Sequence, residues 1–168
     1  MAHSITNALS RLLAALLLAV AVPAHASEVP DWFADAILDA RDEAADAAQQ
    51  GKRLMLYFWL EGCPYCQRMT SVTFRDAAVI ERLKRGFVPV ALNVRGDRDI
   101  TWTDGATLTE KQLTAKLEVR ATPTLMFLDG KGKILLRRAG YVPPAEFARL
   151  LDEISTAPTA ALRSASPR

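Results

Sequence analysis

Leu54-Met55-Leu56-Tyr57-Phe58-Trp59-Leu60-Glu61-Gly62-Cys63-Pro64-Tyr65-Cys66 is an apolar, aromatic run that ends in the only two cysteines of the chain. The part from Arg53 to Leu60 is short and almost uniformly apolar, as for a strand covered on both faces. The thiols then stand where a strand end feeds a helix start. A thiol at a helix N-terminus faces unpaired backbone N–H groups and the positive end of the helix dipole, which favour thiolate over thiol. Cys63 is therefore the expected nucleophile. Cys66, one turn further in, can attack a mixed disulfide on Cys63 and release the partner, so the spacing suits two-electron thiol–disulfide exchange.

A C-x-x-C pair also serves zinc sites and structural staples. Zinc normally takes four ligands from Cys, His or carboxylate, and both histidines, His3 and His25, lie in a segment expected to be removed. The mature chain is then without imidazole, which excludes Ser–His and Cys–His hydrolase arrangements. An inert disulfide closing so small a loop restricts the unfolded chain little. A soft-metal carrier stays open as a different class of function, because Cys63, Cys66 and Met69 offer thiolate and thioether donors suited to Cu(I). The alternative for Met69 is packing of the helix onto the core. The redox reading needs no cofactor and no metal.

The compartment is read from the N-terminus. Arg11 precedes an apolar stretch, Leu12 to Val22, followed by Pro23 and the small-residue site Ala24-His25-Ala26. This fits a signal peptide over residues 1–26, cleaved before Ser27. The stretch is 11 residues long, against the ~20 that a membrane-spanning helix needs, so a retained anchor is the lesser reading. The expected location is the periplasm, an oxidising space.

With 168 residues, no glycine-rich linker and no internal repeat, the chain fits one compact domain over residues 27–154. Residues 155–168 are rich in Ala, Ser, Thr and Pro without apolar periodicity and read as a disordered tail. Formal charge is +2 over the whole chain, and loss of residues 1–26 removes only Arg11, leaving +1. That gives no electrostatic case for nucleic acid or an anionic membrane.

Trp32, Phe33, Ala36, Ile37 and Ala40 recur at helical spacing and predict an amphipathic first helix, ended by Gly51. After the Cys63–Cys66 helix, a break is expected near Thr73-Phe74-Arg75-Asp76, with Asp76 capping a segment that carries Val79, Ile80 and Leu83. Phe87 to Val94 reads as the next strand. Thr107 and Glu110 make a capping-box pattern ahead of Leu113 and Leu117. Thr124 to Leu128 and Ile134 to Arg138 flank Asp129-Gly130-Lys131-Gly132 as a hairpin, and a last helix runs from about Pro144 to Ile154.

This order, together with Phe58 to Cys66, Ala121-Thr122-Pro123-Thr124 and Gly140 before the final helix, resembles the thioredoxin superfamily over roughly residues 31–154. The resemblance implies an α/β fold with a central mixed sheet flanked by helices. It implies a cis Thr122–Pro123 bond, with the Thr122 backbone beside Cys63 to pair with a substrate strand; a trans proline starting an edge strand is the alternative. It gives Pro64 and Tyr65 as supporting residues within the motif, and Trp59 as a shield for the disulfide or as ordinary core. The leader, Thr73-Phe74-Arg75-Asp76, and Gly140-Tyr141 look like the periplasmic thioredoxin-related proteins of the SoxW type. Those are associated with bacterial sulfur oxidation and receive electrons from a membrane thiol transporter. The implied partners are protein disulfides and such a transporter, and the expected state is a monomer.

Two departures bear on mechanism. Cytoplasmic thioredoxins carry a buried Asp six residues before the nucleophile and a Lys on the next strand; here those positions match Tyr57 and Ala91. Glu61, or water beside Gly62, is the candidate acceptor for the Cys66 proton, against a solvated surface carboxylate. The second departure is an insertion from Arg95 to Ala106. Trp102 in it forms a partner-selecting rim or packs the loop onto the domain. Asp97, Asp99 and Asp104 invite calcium, but their spacing fails the EF-hand pattern. Whether the protein reduces disulfides or donates its own depends on a reduction potential that the sequence leaves open.

Overall fold

The computed structural model describes residues 29–34 and 39–156. The segment read as a leader, Ala36 and Ile37 of the expected first helix, and residues 157–168 lie outside the described residues. Helix α1 is Ala40–Gln49, followed by strand β1 (Arg53–Trp59), helix α2 (Pro64–Ser71), a single 3₁₀ turn (Thr73–Arg75) and helix α3 (Ala77–Gly86). Strand β2 (Phe87–Asn93), the short strands β3 (Asp99–Thr101) and β4 (Thr107–Thr109) and helix α4 (Glu110–Lys116) come next. Strands β5 (Thr124–Leu128) and β6 (Ile134–Ala139) and helix α5 (Pro144–Thr156) complete the described chain.

The main sheet has the order β2-β1-β5-β6, with β1 parallel to β2 and the other pairs antiparallel. Alternation along β1 explains why the run is apolar throughout. Met55 and Tyr57 face one core layer with Met69, Phe74, Leu83 and Phe147 from α2, the 3₁₀ turn, α3 and α5. Leu54, Leu56 and Phe58 face the other, with Ala44 of α1 and Leu113 of α4. Helices therefore cover both faces, and the α/β thioredoxin architecture expected from the sequence is the one observed.

Local signals explain most boundaries. Asp76 accepts from the Val79 N–H at 3.1 Å and caps α3, as expected. Asp129-Gly130-Lys131-Gly132 turns the β5–β6 hairpin, with Gly132 at φ +74°. Gly51, at φ +69°, follows the end of α1.

Three expectations need correction. The first helix does not begin at Trp32: the Phe33 N–H closes a turn on Pro30 O, and Ala34 makes a single parallel bridge to Val90, so this segment is a turn that meets the sheet edge at Ala34. Asp39 caps α1, accepting from the Arg41 and Asp42 N–H groups. The capping box of α4 lies two residues later than read. Thr107 pairs with Thr101 in a strand, Thr109 is the cap with Gln112 as its reciprocal partner, and Glu110 turns inward. The last helix continues past Ile154 through Ser155 and Thr156, the first two residues assigned to the tail.

Candidate functional site

The two cysteines sit at the first turn of α2, at the end of the buried strand β1. Cys63 is the helix cap, and its sulfur accepts from the Cys66 N–H at 3.3 Å. Pro64 takes the first helical position, where its missing N–H costs nothing. Gly62, at φ +73°, makes the turn that brings the strand end round to the helix. Both thiols are unbridged; Cys63 is partly exposed, whereas Cys66 retains only 3 % of its accessible surface.

The Thr122–Pro123 bond is cis, as the resemblance implied. Thr122 lies beside Cys63 at two points: its hydroxyl donates to Cys63 Sγ at 3.4 Å, and its carbonyl accepts from the Cys63 thiol at 3.5 Å. Burial opposes a thiolate at Cys63. Hydrogen bonds from Cys66, from Thr122 and from the backbone N–H groups of Cys66 and Tyr65 outweigh it and hold this thiol below its ordinary value. Cys66 goes the other way. Burial, reinforced by its hydrogen bond to Cys63, pushes it up to about 11. The pair is thus divided into a thiolate-prone outer sulfur and a protonated inner one, the division that attack followed by resolution requires.

Tyr57 is a buried neighbour of the cysteine helix that the sequence reading saw only as a missing carboxylate. Fully buried, it donates its hydroxyl to Cys66 O at 3.3 Å and stacks edge-on with Phe33 and Phe74. Its register partner across β1–β2 is Ala91, the position matched to the family's Lys. Glu61 is exposed, and no hydrogen bond or ion pair among the described residues involves it. Tyr65 is the most exposed large apolar side chain of the site, at 61 %. Trp59 is half-buried against the α2-side core and borders a cavity of about 500 Å³, walled also by Phe33, Ala91, Asn93, Arg98 and Glu110.

The insertion after β2 is a small hairpin, β3–β4, rather than an open loop. Trp102 is 6 % exposed and packs with Ile100, Leu113 and Leu117, so the partner-selecting rim gives way to the packing alternative. Asp104 faces Lys116 and the Ala106 N–H. No group of three or more His, Cys, Asp or Glu side chains among the described residues could hold a metal ion. Met69 is wholly buried in the core. Glu110, 2 % exposed, accepts from the Asn93 N–H at 2.9 Å and from Arg98 at 2.5 Å, and Arg98 also donates to Ala91 O. A Cβ on Gly96 would stand 1.8 Å from this carboxylate, so glycine is required for the close approach. No sequence signal distinguished this ion pair from surface charge.

The family model of the thioredoxin-like domain matches residues 40–155. A thioredoxin from Thermus thermophilus is 30% identical over 71% of this chain and 88% of its own, with a TM-score of 0.55. A thioredoxin-fold protein from Helicobacter pylori superposes with a TM-score of 0.59 at 21% identity, over 66% of this chain and 73% of its own. The chain is 26% identical over 134 residues to the thiol:disulfide interchange protein DsbD of Actinobacillus pleuropneumoniae, covering 77% of this chain. It spans about a fifth (21%) of that relative's length.

Proposed function

Because the chain belongs to the thioredoxin-like domain family, we propose that it is a thiol–disulfide oxidoreductase that reduces protein or small-molecule disulfides through Cys63 and Cys66. The observation that carries this reading is the opposed tuning of the two thiols beside Thr122. The Cys63 thiolate attacks one sulfur of a substrate disulfide; a new S–S bond forms, and the other substrate sulfur leaves as thiolate and takes up a proton. Cys66 gives up its proton and attacks Cys63 Sγ, releasing the second substrate thiolate. The substrate gains two electrons and the protein is left as the Cys63–Cys66 disulfide. A dithiol donor must then return those electrons.

We assign this donor role to a membrane thiol transporter and the site of action to the periplasm. The apolar leader and the likeness to a thiol:disulfide interchange protein support both. The leader with Thr73-Phe74-Arg75-Asp76 and Gly140-Tyr141 supports a SoxW-type role, Ala24-His25-Ala26 supports cleavage of residues 1–26, and the family match over residues 40–155 supports a domain that closes with α5. Among the described residues no helix is long and apolar enough to cross a membrane.

The test joins trapping to a potential. Cys66→Ser should accumulate mixed disulfides with partner proteins, and wild type equilibrated with glutathione should give a potential below about −200 mV, towards the ~−270 mV of thioredoxin. A potential near about −120 mV would make the protein a disulfide donor and reverse the direction. Absence of any adduct, with stoichiometric copper in purified wild type, would move the pair to metal carriage.

A further inference from the structure

Arg68 lies on α2 five residues beyond Cys63, about 7.5 Å further along the helix axis. It is exposed, and its guanidinium stands 4.5 Å from the centroid of the Tyr141 ring. That ring is tied back to the nucleophile. The N–H of Gly140, the preceding residue, donates to Pro123 O at 2.8 Å, and the carbonyl of Thr122, before the proline, accepts from Cys63. The stacked pair therefore adjoins the segment that carries Thr122 and Pro123 beside Cys63.

Among the described arginines without an ion pair, Arg41, Arg75, Arg95, Arg137 and Arg149 included, Arg68 is the one stacked on an aromatic ring. Arg82, Arg85, Arg98, Arg120 and Arg138 each have a carboxylate partner, whereas no carboxylate among the described residues pairs with Arg68. Stacking on an aromatic face leaves the N–H edge of a guanidinium free and restrains its rotamers, which lowers the entropy lost when a carboxylate docks. Exposed Tyr65 on the same helix adds an apolar contact.

We propose that Arg68, held on Tyr141, is a specificity-determining cation that makes disulfides flanked by acidic residues the preferred substrates of this site. The proposal rests on the dithiol reading above. Glu61, on the other side of the motif, opposes it in sign, so the preference is read by reversing charge at Arg68 alone.

The experiment uses three peptide disulfides that differ only in Asp, Asn or Lys beside the bridged cysteines, each reduced in a single turnover by the reduced protein. At low salt the Asp peptide should react roughly fivefold faster than the Lys peptide, the upper range for an exposed ion pair. The ratio should shrink towards one at 1 M salt, where the Debye length is about 3 Å. Arg68→Lys should keep the direction of the preference and Arg68→Glu should invert it. A helix-dipole role for Arg68 in the last turn of α2 predicts a ratio that Arg68→Glu leaves unchanged, and that result, or a wild-type ratio near one, overturns the proposal. Failure of wild type to reduce all three peptides would sink the dithiol reading, and the proposal with it.

Discussion

Replacing Thr122 by Val removes one donor to the nucleophilic sulfur while keeping the shape of the side chain. The hydroxyl lies 3.4 Å from Cys63 Sγ, and the Cys66 N–H, at 3.3 Å, remains in the variant. A hydrogen bond to a charged acceptor contributes about 1.5–3 kcal/mol. The long contact to sulfur places this one at the lower end, or about tenfold in thiolate population at a fixed pH below the midpoint. Thiolate absorbance in the reduced variant should show that loss directly. Alkylation of Cys63 should fall less, by about threefold, because a more basic thiolate is also more nucleophilic, with a Brønsted slope of ~0.4–0.5. Thr122→Ser keeps the donor and should titrate as wild type. A Val variant with the wild-type thiolate fraction, or a Ser variant that loses as much as Val, would refute the assignment of the hydroxyl as a thiolate donor.

The opposed thiols predict a potential that falls with pH in steps: about 60 mV per unit below the Cys63 midpoint and about 30 mV per unit between the two midpoints, since each proton is worth about 30 mV for two electrons. The check is a glutathione equilibrium across pH, and a single slope through the Cys63 midpoint would contradict it. Cys66, raised from 9.0 to about 11, binds its proton more tightly folded than unfolded, so its contribution to the stability of the reduced form is complete below pH 9 and is lost as pH rises through about 11. Cys63, being lowered, contributes in the opposite sense: its share is present above the ordinary thiol value and lost as pH falls through the folded midpoint. Denaturant unfolding should therefore show the reduced protein weakening relative to the oxidised one between pH 9 and about 11, and parallel curves would count against the tuning. Glu61→Gln should depress the pH–rate profile for release of a mixed disulfide if that carboxylate takes the Cys66 proton, whereas an unchanged profile removes Glu61 from the mechanism. Glu110→Ala strands the Asn93 N–H and Arg98 and should cost about 1–3 kcal/mol in denaturant unfolding, with faster amide exchange over residues 95–109.

What the sequence made legible was what depends on near neighbours in the chain. The β1 run, the cap at Asp76, the Asp129–Gly132 turn and the placement of two thiols at a helix start all follow from periodicity and cap chemistry. Helical spacing misled at Trp32 and Phe33, because the same apolar residues serve equally well in a turn that meets the sheet edge. There Phe33 packs edge-on against Phe74 at 5.1 Å. The phrase Thr73-Phe74-Arg75-Asp76 carried a family likeness but no stated cause; the structure supplies one. Phe74 is a buried aromatic hub touching Phe33, Tyr57 and Phe147, and Thr73 donates to Val142 O at 2.7 Å. The Glu110–Arg98 pair was illegible because its two members are 12 positions apart and meet only when β3–β4 folds back on β2.

Tyr57 and Ala91 are best understood as one exchange rather than two losses. They are register partners on adjacent parallel strands and face the layer beneath α2. A phenol there occupies core volume and needs a small neighbour, which Ala91 provides. The hydroxyl then donates to Cys66 O, and no carboxylate among the described residues is hydrogen-bonded to the Cys66 sulfur. Burial is the first reason the inner thiol stays protonated, and the hydrogen bond to Cys63 is the second. Once Cys63 is tied up in a mixed disulfide the second reason weakens while the first persists. In the proposed reaction, access of water or an exposed base to Cys66 would therefore control how long the substrate stays attached.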